Sequence, residues 1–71
     1  MILMTEIKIN TEYITLGQFL KMANIISSGG QAKFFLSENK VFVDGELDQR
    51  RGRKLYPNMT VKVLGKEYKI I

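Results

Sequence analysis

The chain has 71 residues, 45% of them hydrophobic, a formal net charge of +4, and neither cysteine nor histidine. That composition supports a compact core too small to be robust, with no disulfide to staple it, and it argues against a zinc site and against catalysis by the commonest general base or the best nucleophile. No apolar run approaches the roughly 20 residues needed to cross a membrane, and residues 1–9 lack the basic flank and small-residue cleavage site of a signal peptide, so a soluble cytoplasmic protein with one domain over residues 1–71 is expected, starting at Met1 or Met4.

Glu6–Ile9 alternates in polarity and reads as an edge strand. Thr15-Leu-Gly-Gln18 fits a capping box, with Ile14 and Phe19 placed for a hydrophobic staple. Behind that cap, Leu16, Phe19, Leu20 and Ala23 share one helical face. Ser28-Gly-Gly-Gln31 repeats the capping pattern before a second helix, whose Ala32, Phe35 and Leu36 form an apolar stripe. Lys33, Ser37 and Lys40 fall on another face. Asn39 is expected to close this helix in the left-handed conformation. Val41–Val43 reads as a short buried strand and Asp44-Gly45 as a tight turn. Pro57-Asn58 marks another turn, and residues 60–64 and 67–71 alternate as strands joined at Gly65-Lys66. The order predicts an α+β fold: two packed helices followed by a small, mainly antiparallel sheet.

The charge is unevenly divided. Residues 1–39 balance to zero, whereas residues 40–71 carry eight cations against four anions. Arg50, Arg51, Arg53 and Lys54 surround Gly52, which is expected to let the backbone bend so that the side chains splay. Such a concentration points to a polyanionic partner. The carboxylates Asp44, Glu46 and Asp48 invite a magnesium or paired-carboxylate site, but a solvated hairpin is the expected reading. Gly29-Gly30 lacks the Gly-Lys-Ser/Thr ending of a phosphate loop and reads as an inter-helix turn, although backbone N–H groups at a helix start can receive a phosphate. The helix pair also admits a helix-turn-helix reading on duplex DNA, but Gln31 and Lys33 are thin equipment for base readout, and Phe34, Phe35 and Leu36 suggest a helix held largely in the core. Among Phe34, Phe42, Tyr56 and Tyr68, only Tyr56 is nominated to stack on bases.

The run Ser28-Gly-Gly-Gln-Ala-Lys-Phe-Phe-Leu-Ser-Glu-Asn-Lys-Val-Phe-Val-Asp-Gly45 resembles the core of the S-four-type RNA-binding domain. Ser28, Gln31, Ala32, Phe35, Leu36, Val41, Val43 and Gly45 fall in register with that family, while Asn39 stands at its usual Gly and Asp44 at its usual Asn. Thr15-Leu-Gly-Gln-Phe-Leu-Lys21, the Gly-Gly-x-Ala-Lys run and Arg50-Arg-Gly-Arg-Lys-Leu55 are similar to its stand-alone YaaA/YbcJ-like members, and the resemblance spans roughly residues 14–64. It implies an αα-β fold that binds structured ribosomal or transfer RNA, with the ribosome as a further expected partner; neither a cofactor nor catalysis is expected. Duplex DNA, or a protein-adaptor role linked to replication, is the alternative. Many members carry Arg at the positions of Thr15 and Gly29. With those absent, the expected RNA-binding set is Lys21, Gly29, Gly30, Gln31, Lys33, Lys40, Arg50, Arg51, Arg53 and Lys54. Folded RNA is read mainly through shape, phosphates and 2′-hydroxyls, which suits an arginine-rich loop.

Overall fold

A computed structural model describes residues 4–71; the expectations resting on Met1–Leu3, including the choice of start, lie outside the described residues. In chain order the elements are β1 (Met4–Ile7), β2 (Ile14–Thr15), α1 (Leu16–Met22), α2 (Gln31–Glu38), β3 (Val41–Val43), β4 (Glu46–Leu47), β5 (Lys54–Leu55), β6 (Thr60–Val63) and β7 (Lys66–Ile70). Five strands form a sheet in the order β1-β7-β6-β3-β4, and β2 pairs with β5 in a separate two-stranded ladder. Every pairing is antiparallel except that of β1 with β7. The fold is thus α+β with a mostly antiparallel sheet, as expected.

Alternation along the strands sets the inner face. Val41, Val43, Val61, Val63, Tyr68 and Ile70 are buried and share one core with Leu16, Phe19, Leu20, Ala32 and Leu36 of the helices. Phe19 meets Tyr68 edge to face, with ring centroids 5.1 Å apart. Ile14 and Phe19, the expected staple residues, are both in this core.

The α1 cap forms as expected: Gln18 N–H donates to Thr15 Oγ1, and Thr15 N–H to Gln18 Oε1. The α2 start differs. Its N-cap is Gly30, without a side-chain cap. Gln31 instead reaches back to Ser27, accepting from its N–H and hydroxyl at 2.8 and 2.9 Å, so the reciprocal bond expected at Ser28 is replaced by one that braces the inter-helix turn.

Asn39 does not adopt the left-handed conformation. Its φ is −131° and ψ 143°, and its side-chain and backbone N–H groups both donate to Phe35 O. An extended backbone delivers the chain straight into β3, and the amide caps the helix without a turn. The asparagine that closes a helix in the left-handed conformation is Asn24, at φ 59° just after α1. There Asn24 N–H donates to Lys21 O and Ile25 N–H to Leu20 O, the paired bonds of a Schellman motif.

Asp44-Gly45 forms the expected turn, with φ of 50° and 85° between paired Val43 and Glu46. Its counterpart between β6 and β7 lies at Leu64-Gly65, one residue earlier than expected, with φ of 53° and 72°. Val63 then pairs with Lys66. Asn58, at φ 79°, follows Pro57 in a turn closed by Met59 N–H to Tyr56 O. No described helix is long and apolar enough to cross a membrane.

Candidate nucleic-acid interface

The basic loop between β4 and β5 is organised by a carboxylate at its root. Asp48 is 8% exposed, and its N–H continues the ladder by donating to Val41 O. The side chain accepts Arg50 N–H at 2.9 Å and Arg50 Nε at 3.1 Å on one oxygen. The other oxygen receives Arg50 Nη2 at 2.8 Å and Arg53 Nη1 at 3.2 Å. The forked guanidinium of Arg50 holds the Asp48 carboxyl at about 2, well below its usual value, against the opposing effect of burial. Arg50, in turn, is pushed above its ordinary pKa by the same bond. The expectation of a solvated acidic hairpin therefore fails at Asp48, which is buried as the loop's internal counter-charge. Asp44 serves the backbone instead: Thr60 N–H donates to its carboxylate at 2.9 Å. No acidic cluster suited to a metal ion occurs among the described residues.

The loop is also stitched to both helices. Leu16 N–H donates to Arg53 O at 2.8 Å and Gly17 N–H to Arg51 O at 2.9 Å, so two of the free amides at the start of α1 are satisfied by the loop's own carbonyls. At the far side, Gln49 Nε2 donates to Leu36 O and Asn39 O, capping the end of α2. Within the loop, Arg53 N–H donates to Arg50 O. Gly52 occupies this turn without a positive φ and with open space where a Cβ would stand, so the bend comes from the hydrogen bond and Asp48, and the glycine is not required for it.

Gly17 is where a close approach does require glycine. A Cβ there would lie 2.9 Å from Arg51 Cγ and 3.5 Å from Ala32 Cβ. Arg51 and the first turn of α2 therefore converge on α1, which brings Arg51 to the neighbourhood of exposed Gly29, Gly30, Gln31 and Lys33. The amides of Gln31 and Ala32 are already used, donating to Ser28 O and Gly29 O. Lys40 follows the opposite end of α2, about 12 Å along the helix, beside the Gln49 anchor. Lys21 lies one turn beyond Gly17 on the same helical stripe, exposed. Arg50 and Arg53 are ion-paired with Asp48, and Arg50 remains 71% exposed; Arg51, Lys54, Lys33, Lys40 and Lys21 have no carboxylate within ion-pair distance among the described residues.

Aromatic positions also depart from expectation. Tyr68 is buried and Tyr56 is 41% exposed, as nominated, but Phe34 stands 72% exposed on α2, so that helix is not held in the core on this side. Tyr13, which carried no signal of its own in the sequence, packs beside Tyr56 with centroids 5.6 Å apart, and Lys54 Nζ lies 5.0 Å from its ring centre. Gln49 and Gly17 were likewise given no role by the sequence, and Asp48 was read only as part of a solvated acidic hairpin. Only Asp48 had a local cue, an acidic residue two positions before a turn amide it can accept from.

These features define a class of small α+β protein in which a basic loop, braced by one buried carboxylate, bridges the ends of two helices. A family model for the S4 domain matches residues 7–71, beyond the 14–64 span of the sequence resemblance. This chain belongs to the S4 domain family. It is 61% identical over 59 residues, 83% of each chain, to the "Probable ribosome maturation protein RlbA" of Bacillus subtilis (strain 168).

Proposed function

We propose that this chain is a non-catalytic RNA-binding protein that grips the phosphate backbone of structured RNA, ribosomal RNA first among the candidates. The observation that carries the reading is the Asp48-braced loop. Neutralising part of Arg50 and Arg53 internally holds Arg51 and Lys54 on a fixed backbone, next to a helix start bearing Lys33. Fixed cations lose less conformational freedom on meeting phosphates than free ones. Lys21, Lys40, Gly29, Gly30 and Gln31 extend the same surface in this reading. Membership of the S4 domain family and similarity to a protein named for ribosome maturation support an RNA partner and favour ribosomal over transfer RNA. A fold without His or Cys supports binding over catalysis.

The test is affinity against salt for a folded ribosomal RNA fragment, a transfer RNA and a DNA duplex of equal length. Each phosphate contact contributes roughly 0.7 to 0.9 to the slope of log affinity against log salt. Replacing Arg51 and Lys33 by Ala is expected to flatten that slope by about 1.5 and to weaken binding to many RNA sequences alike. Unchanged slope and affinity in this variant, or a preference of the parent protein for duplex DNA, would overturn the reading.

A further inference from the structure

An open groove of about 330 Å³ lies beside the basic loop, lined by Arg50, Gly52, Arg53, Lys54, Tyr56 and Met59. The short β2–β5 ladder pairs Ile14 with Leu55 and Thr15 with Lys54, and one further antiparallel step sets Tyr13 opposite Tyr56. Their rings are tilted at 48° and remain 37% and 41% exposed, whereas the third tyrosine, Tyr68, is 7% exposed. At 5.6 Å between centroids the two rings are too close for a base to enter between them. Tyr56 lines the groove and is 41% exposed, so it is the ring open to a ligand there. Tyr13 backs it, and Lys54 sits over Tyr13.

Aromatic rings beside guanidinium groups form the pattern by which unpaired nucleotides are held: the base stacks, and the phosphate meets the cation. A base inside a continuous helix has no free face to offer. We propose that Tyr56 is a stacking platform for one unpaired nucleobase, backed by Tyr13 and Lys54, with the adjoining phosphate on Arg53 and Arg50. The preferred ligand is then an RNA helix interrupted by a bulge or loop. This rests on the RNA-binding reading and narrows its ligand. Tyr56 is the contact residue; Tyr13 is a positioning residue, acting through Tyr56.

Two hairpin RNAs test it, identical except that one carries a single bulged 2-aminopurine and the other is fully paired. The parent protein is expected to quench the bulged 2-aminopurine on binding and to prefer the bulged hairpin by about tenfold, the usual scale for one stacked base. Tyr56→Leu is expected to abolish the quench and the preference while leaving affinity for the paired hairpin and its salt slope unchanged. Tyr56→Phe should keep both, and Tyr13→Leu should lower the preference partway without touching the slope. Equal binding of the two hairpins by the parent without a quench, or a preference that survives Tyr56→Leu, overturns the platform while leaving backbone binding intact. Failure of the parent to bind either hairpin would overturn the RNA reading itself, and the platform with it.

Discussion

At Asp48 the carboxylate accepts two side chains and a backbone amide while nearly shielded from water, so its proton equilibrium is tied to folding. Its folded-state pKa of about 2 lies below the ordinary 3.8. The stabilisation is therefore complete above about pH 4 and is lost as pH falls from there toward 2. Because Arg50 is largely in solvent, screening reduces the effect to about 1 kcal/mol. Asp48→Asn is expected to cost about that much at pH 7 and to remove the corresponding acid-limb loss, read from urea melts at pH 7 and pH 2.5. It should also weaken RNA binding despite raising the net charge, because the loop loses its brace. Gly17 offers a second residue-scale test. A methyl group at this position collides with Arg51 Cγ, offsetting the roughly 0.5–1 kcal/mol that replacing a helical glycine by alanine ordinarily gains. Gly17→Ala should change thermal stability little in the parent but stabilise an Arg51→Ala background. A double-mutant cycle without coupling would exclude contact between the two.

Among the elements, the β6–β7 turn carries strain that can be relieved. Leu64 holds φ 53°, a region that costs an ordinary L-residue roughly 1–2 kcal/mol, and its side chain is 59% exposed. Leu64→Asn creates an Asn-Gly turn and is expected to stabilise by about 0.5–1 kcal/mol in thermal melts. Thr15→Ala, which removes the α1 cap, should destabilise by about 1 kcal/mol. These elements divide by how local their causes are. The Thr15–Gln18 cap, the Val41–Val43 strand and the Asp44-Gly45 turn were legible in the sequence because each is decided within a few residues. The β2–β5 ladder was not, since it consists of two residues per strand and depends on partners far apart in the chain. That ladder is what brings Tyr13 to Tyr56. Asn39 misled because its amide had two ways to close a helix, and the short path into β3 favoured the extended one. The cationic loop was visible from composition, but the burial of Asp48 follows from β4 packing against β3, which composition does not encode.

For the molecule as a whole, the parallel pairing of β1 with β7 runs from Met4 opposite Glu67 to Ile7 opposite Ile70, and is extended by Ile9 N–H to Ile71 O. Closing it joins segments separated by nearly the whole described sequence, whereas β6–β7 and β3–β4 close across two-residue turns. The entropy lost in joining β1 to β7 is accordingly the largest of any strand pair, and such contacts are the slowest to form. The sheet should therefore assemble from β3, β6 and β7 outward, with β1 docking after the rate-limiting barrier. Ile7→Val, costing about 0.5–1.5 kcal/mol, is expected to speed unfolding and leave the folding rate nearly unchanged, whereas Val61→Ala should slow folding. Amides of Ile7 and Ile9 should exchange with solvent through partial openings that leave those of β6 protected. An outer strand that detaches before the rest would make the first step of unfolding reversible and local, separate in time from the loss of the basic loop.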